Sequence, residues 1–129
     1  MTSRADLAAG SAAAEPVPRL TRAFSCDPAA RQAARYAVDR GFDRAVAPVR
    51  RWFVYLPFEH SEDLADQQRG LELYASLPDD QDRDLCLRAA RRHHDIIARF
   101  GRFPHRNEVL GRSSTAEEAA FLRQPGSRF

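Results

Sequence analysis

The segment VRRWFVYL, residues 49–56, is rich in aromatic and β-branched residues and could by propensity form a β-strand. The sequence has no second segment of this kind, and a strand without a partner is not stable. We therefore interpret the segment as a buried helix that begins at Pro48 and is bent or ended by Pro57. With no partner strand in the sequence, this segment favours an all-α protein.

Helix-capping signals divide the rest of the chain into further helices. Asp27 and Pro28 can open a helix that stops at Gly41, and Ser61 can cap another. The longest helix is predicted over about residues 81–100, followed by a stop at Gly101. Such helices with short connections predict antiparallel helical hairpins, in a bundle or a short α-solenoid.

Two of the predicted helices carry more specific signals, an apolar face in one and a capping box in the other. The helix over residues 81–100 has the clearest apolar face, made by Leu85, Cys86, Ala89, His93, Ile96, Ile97 and Phe100. A last helix begins near residue 115, where Ser114 with Glu117, or Thr115 with Glu118, matches a capping box.

Length and composition limit the function classes. The 129 residues suffice for one domain, and the 20 basic residues, all arginine, are nearly balanced by 18 acidic ones. We therefore expect no nucleic-acid partner. No apolar run approaches the roughly 20 residues of a membrane span, so no membrane partner is expected. Cys26 and Cys86 lack CxxC spacing, which favours reduced thiols and a cytoplasmic location.

The chain divides into three predicted parts. Residues 1–21 form an Ala/Pro-rich tail, residues 22–124 form the helical domain, and residues 125–129 form a C-terminal tail.

The segment PFEHSEDLADQ, residues 57–67, is the first that could carry chemistry. If the helix includes His60, then His60, Asp63 or Leu64, and Gln67 share one face, and its polar groups could handle protons or bind a ligand through hydrogen bonds. The structural alternative is a capped helix start with a solvated acidic turn.

His93, on the apolar face of the longest helix, is the second candidate. Its alternative interpretation is a core histidine whose hydrogen bonds are all made within the protein.

The segment FGRFPHRN, residues 100–107, is the third candidate for a functional site. Its phenylalanines can anchor a loop that presents Arg102, His105, Arg106 and Asn107. Two arginines on such a loop could clamp a carboxylate or phosphate. They could equally tie the loop to acids of the protein such as Glu59, Glu62 or Asp63.

Metal and cofactor motifs are absent from the sequence: it has no HExxH, P-loop, GxGxxG or GxSxG. His60, His93, His105 and a glutamate could bind zinc, but their spacing is not diagnostic. We predict no metal and no cofactor.

Several of these segments resemble one family. FEHSEDLADQ (58–67), His93 with DIIARFGRFPHRNEVLGR (95–112) and STAEEAAFL (114–122) resemble the bacterial domain-of-unknown-function family numbered 924. RAFSCDPAARQAARYAVDRGFD (22–43) and FVYLPF (53–58) resemble its upstream helices. The resemblance implies a tetratricopeptide-like α-α array without an established activity. Members of that family have more helix before Arg22, so the resemblance also implies an N-terminally truncated member.

We predict a tetratricopeptide-like helical protein that binds a small or peptidic anionic ligand in one pocket. The alternatives are an acid/base, hydrolase-like enzyme using the same pocket, and a protein-interaction or self-association module using the face left by absent N-terminal helices. Catalytic residues are not assigned. The predicted ligand-binding residues are His60, Glu62, Asp63, Gln67, His93, Arg102, His105, Arg106 and Asn107.

Overall fold

The computed structural model describes residues 24–129, so the predicted N-terminal tail over residues 1–21 lies outside the described residues. Over residues 24–129 the chain forms five α-helices and no β-strand, which confirms the predicted all-α fold. No helix in this part of the chain is long and apolar enough to cross a membrane. The helices are α1 (Asp27–Asp39), α2 (Pro48–Glu59), α3 (Leu64–Ala75), α4 (Gln81–Phe100) and α5 (Ala116–Leu122).

The chain divides into two compact units. The first unit, Phe24–Phe103, contains α1 to α4, and the described part of the second unit, Pro104–Phe129, contains α5. Within the first unit each helix packs against the next one along the chain, and α2 also contacts α4. This pairwise packing is compatible with an array of helical hairpins.

Local sequence signals set several helix ends as predicted. Pro28 and Pro48 lie in the first turns of α1 and α2, where a missing N–H costs no helical hydrogen bond. Gly101 ends α4 in the left-handed conformation, with φ of +74°. Thr115 and Glu118 form the predicted capping box at the start of α5.

Ser61 does not cap α3, so that prediction is wrong. Asp63 is the cap, and its side chain accepts hydrogen bonds from the backbone N–H groups of Ala65 and Asp66. Ser61 lies two residues earlier and is buried, and its hydroxyl donates instead to the Asp66 carboxylate at 2.7 Å.

The predicted apolar face of α4 is correct only toward its C-terminal end. Ile96 and Ile97 are buried, but Leu85 is 51% exposed and Ala90, rather than Ala89, lies in the core. The N-terminal half of α4 therefore presents a face rotated by about one residue from the one that spacing predicted.

The core of the first unit is centred on two buried tyrosines. Tyr55 of α2 and Tyr74 of α3 pack edge to face with ring centroids 5.7 Å apart. Gly70 allows α3 to approach α2 closely, because a Cβ at that position would lie 3.2 Å from Cβ of Phe58. This close contact fixes the position of the end of α2, from which the HSED segment continues.

Candidate functional site

The turn between α2 and α3 is held by the buried side chain of Gln67, which is 2% exposed. Its Nε2 donates to the backbone carbonyl oxygens of Glu59 at 2.5 Å and Ser61 at 2.7 Å. Carbonyls at the end of a helix lack helical partners and need such donors when they are buried. Gln67 therefore fixes the turn on which His60 lies.

Asp66 joins this turn to α1. Its buried carboxylate accepts hydrogen bonds from Ser61 at 2.7 Å and from Arg35 at 2.5 Å, and Nε of Arg31 lies 3.6 Å from it. The hydrogen bond to Asp66 raises the pKa of Arg35, which keeps this guanidinium charged. The sequence analysis did not identify any of the three residues of this ion-pair cluster. Asp66 was missed because an acid in the first turn of a helix usually faces solvent.

His60 and His93 lie close together, as a shared site requires. Their ring centroids are 6.0 Å apart, although the two residues belong to different helical segments. The His93 side chain is only 12% exposed and packs edge to face against Phe103 at 5.5 Å, whereas His60 is exposed. The structure thus places one sheltered imidazole beside one exposed imidazole.

His93 also contacts a buried carboxyl group that the sequence did not identify as part of a site. Nδ1 of His93 lies 3.2 Å from Oε1 of Glu59 and 2.8 Å from the carbonyl oxygen of Ala89. Because a carbonyl oxygen can only accept, Nδ1 carries the proton, and Nε2 is the basic nitrogen of the neutral ring. The Tyr74 hydroxyl donates to the other carboxyl oxygen of Glu59 at 3.2 Å.

Burial governs the charge of Glu59. It raises the pKa of the Glu59 carboxyl, while the charge of His60 and the hydrogen bond from Tyr74 act in the opposite direction and are weaker. Burial also raises the pKa of Tyr74, which keeps its phenol neutral and able to donate. Sequence reasoning considered Glu59 only as an acid that could pair with the loop arginines. The position of Glu59 at the end of an aromatic helix, directly after buried Phe58, is the sequence feature that could have indicated its burial.

The other acids of the HSED motif hold backbone groups. Glu62 accepts a hydrogen bond from the backbone N–H of Phe103 at 2.7 Å, and Asp63 caps α3. Both carboxylates therefore have structural contacts. Arg102, one residue before Phe103, is half-buried.

A hollow of about 170 Å³ opens beside His60, between α1 and α2. One wall is apolar and includes Phe53, which is 69% exposed. The hollow is lined by Asp27, Ala30, Arg31, Phe53, Leu56, Pro57, His60 and Ser61. A guanidinium and an imidazole beside an apolar wall can bind an anionic group that is attached to an apolar body.

In the second unit, Asn107 is buried and its side chain is engaged by protein groups. Its Nδ2 donates to Ser114 at 3.1 Å and to Glu118 at 3.2 Å, and its Oδ1 accepts from Nε of Arg112 at 3.0 Å. These contacts connect the loop after Pro104 to the start of α5.

The remaining loop residues of the predicted site also belong to this unit. Arg106 is buried, and the half-buried ring of His105 packs edge to face against Phe129 at 5.3 Å. The structure therefore brings His60, Gln67 and His93 together within the first unit. That all nine predicted residues line one pocket stays a prediction.

Within residues 24–129, no three His, Cys, Asp or Glu side chains are grouped closely enough to hold a metal ion. The imidazole–carboxyl pair of His93 and Glu59 is instead suited to proton handling. The hollow at His60 is suited to binding an anion.

Comparison with known proteins identifies the chain. The family described as "Bacterial protein of unknown function (DUF924)" matches residues 19–126. Among solved structures, the chain is similar to "Structure of Protein of Unknown Function ATU0120 from Agrobacterium tumefaciens", with 47% sequence identity and a TM-score of 0.70. The match covers 78% of this chain and 54% of that one, so the chain spans about half the length of that protein. None of the curated proteins is similar to the chain at a significant level. The chain therefore belongs to DUF924, a family of bacterial proteins of unknown function.

Proposed function

We propose that the chain binds a small organic anion, a carboxylate with an apolar body, in the hollow beside His60. The observation that carries this proposal is the lining of the hollow, where His60 and Arg31 face the same space as Phe53, Leu56 and Pro57. Polar groups that fix orientation beside an apolar wall are typical of small-molecule sites.

The size of the hollow favours a small ligand over a peptide. Its volume is about 170 Å³, and an engineered apolar cavity of about 150 Å³ is enough to hold benzene. A benzoate-sized anion therefore matches the space. The exposed ring of Phe53 offers the contact for its apolar body.

The charges around the hollow also favour an anion. Arg31 and Arg35 both reach the carboxylate of Asp66, and Arg31 is the more distant of the two, with its Nε 3.6 Å from Asp66. Among the described residues of the lining, Asp27 is the one acid, and it lies in the first turn of α1, where the helix dipole offsets part of its charge. A ligand carboxylate can therefore pair with the Arg31 guanidinium, whose contact with Asp66 is long.

Isothermal titration calorimetry with benzoate tests this proposal. We expect saturable binding that weakens by about tenfold in His60→Gln and in Phe53→Ala, since each removes one kind of contact. Both residues are exposed, so the fold should tolerate these changes. His94→Gln is the matched control, because His94 contacts Asp95 and lies outside the hollow. Binding that is unchanged in both variants, or absent in the wild type, would contradict the proposal.

A second candidate, acid/base catalysis, is favoured by the pair of His93 and Glu59. A carboxyl group behind Nδ1 stabilises the imidazolium that forms when Nε2 accepts a proton. The ring of His60, 6.0 Å away, supplies a second group that can carry a proton.

Turnover of p-nitrophenyl esters tests this second candidate. We expect hydrolysis that is lost in His93→Gln, reduced in Glu59→Gln and retained in the control His94→Gln. Ester hydrolysis that survives His93→Gln would exclude this histidine as the base.

A further inference from the structure

A second and larger hollow, formed on another face of α2, shares no lining residue with the hollow at His60. We propose that it binds a small metabolite that carries a carboxylate or phosphate at one end and a hydroxyl or amino donor at the other. This inference goes beyond the proposed function, because it concerns a different site with a different arrangement of charge.

The hollow has the size of a ligand site and a defined polar floor. Its volume is about 410 Å³, within the range of roughly 300–1,000 Å³ that is common for small-molecule sites. At the floor, the hydroxyl of buried Tyr55 donates to Oδ2 of Asp43 at 2.6 Å. Burial, together with this hydrogen bond, raises the pKa of Tyr55 to about 12, so the phenol remains a neutral donor.

Asp43 supplies the acceptor for the donor end of the ligand. It is 5% exposed and lines the hollow, and Tyr55 engages only one of its two carboxylate oxygens. Within the described part of the chain, no donor is hydrogen-bonded to its Oδ1. A buried carboxylate oxygen that faces a hollow can accept from a hydroxyl or amino group of a ligand.

Arg51 provides a fixed positive charge above this floor. Its Nε donates to the carbonyl oxygen of Val46 at 3.2 Å, and its Nη2 donates to that of Arg44 at 3.3 Å. These backbone contacts hold the guanidinium in place without neutralising it. Among residues 24–129, no carboxylate oxygen lies within 4.0 Å of Arg51 or Arg44.

The rim carries a surplus of positive charge. Arg44 and Arg69 line it together with Arg51, and Glu72 is its acid. Arg69 pairs with Glu72 at 3.5 Å, but both side chains are about half exposed, so this pair is weak. A ligand phosphate or carboxylate can therefore bind the rim arginines while its other end reaches Asp43.

The test uses O-phosphoethanolamine and inorganic phosphate as probes in isothermal titration calorimetry. We expect O-phosphoethanolamine to bind the wild type and to bind at least about tenfold more weakly to the Arg44→Gln/Arg69→Gln double variant. Arg50→Gln is the matched control, because Arg50 lies on the same helix beside Arg51 but does not line the hollow. Equal weakening in the control would show a non-specific effect of charge and would overturn the proposal.

A second comparison tests the donor end. We expect O-phosphoethanolamine to bind the wild type more tightly than inorganic phosphate does, and Asp43→Asn to abolish this preference. The asparagine keeps an oxygen that can accept from Tyr55, and urea unfolding of the variant checks that the fold is retained. Equal binding of the two probes by the wild type, or saturable binding of neither, would overturn the assignment. Benzoate binding at His60 should be unchanged in the arginine double variant, which keeps the two sites distinguishable.

Discussion

Replacing Gln67 by leucine tests whether this residue supports the turn between α2 and α3 or serves a ligand directly. The Gln67 amide is buried and donates to the carbonyl oxygens of Glu59 and Ser61. Leucine has a similar size but no donor, so both carbonyls would lose this partner while little space is left empty.

The expected loss of stability follows from these two contacts. A buried acceptor left without a partner costs about 1–3 kcal/mol, so two of them cost about 2–6 kcal/mol. The more apolar leucine offsets about 1–2 kcal/mol of that loss. These figures bracket the net loss in the free energy of unfolding of Gln67→Leu between about 0 and 5 kcal/mol, and we expect the middle of that range, about 2–3 kcal/mol, a large share of the total for a small protein.

Urea unfolding followed by circular dichroism measures this change. The midpoint should fall by about 1–2 M with little change in slope. Gln68→Leu is the control, because Gln68 is exposed on the same helix and its replacement should change stability by less than about 0.5 kcal/mol. A Gln67→Leu variant as stable as the control would refute the supporting role.

Three further predictions concern the buried polar groups and the tightest helix contact. Glu59→Gln keeps an acceptor for Tyr74 and removes a carboxyl whose pKa is raised by burial. Because the folded state then holds that proton more tightly than the unfolded chain, the wild type loses stability as pH rises through the folded-state pKa. In urea unfolding the variant should be the more stable at pH 7, with a difference that shrinks as pH falls through the folded-state pKa toward 4.5, and a less stable variant at pH 7 would contradict this. Gly70→Ala should lower the free energy of unfolding by about 1 kcal/mol, because the new Cβ would crowd Phe58 and this outweighs alanine's better helix propensity. A variant that is more stable in thermal unfolding would show that the two helices relax to make room. Asn107→Leu should lower the free energy of unfolding by about 2–4 kcal/mol and speed amide hydrogen exchange over residues 104–122, because three side-chain hydrogen bonds are lost. Unchanged exchange would show that Asn107 does not hold this loop in place.

Helix ends were predictable because they depend on nearby residues. The proline at the start of α2, Gly101 after α4 and the pair Thr115–Glu118 all act within one helical turn. Ser61 shows the limit of such reasoning: Asp63 competes for the same cap, and Asp66, one turn further on, takes the Ser61 hydroxyl.

The buried charges were not predictable from spacing. Asp66 is buried because two arginines of α1 reach it, and that contact exists only once α1 packs beside α3. Glu59 is buried for a similar reason, since Tyr74 and His93 come from two other helices. The sequence identified Gln67 and His93 as notable residues, but the direction of each side chain depends on tertiary packing.

Binding of an organic anion in the hollow beside His60 can be observed at the level of single residues by isotope-filtered NMR with unlabelled benzoate. We predict nuclear Overhauser effects between the benzoate ring and Phe53, together with a saturable shift of the His60 ring resonances. Contacts from benzoate to other parts of the chain, with the His60 resonances unmoved, would contradict binding in this hollow.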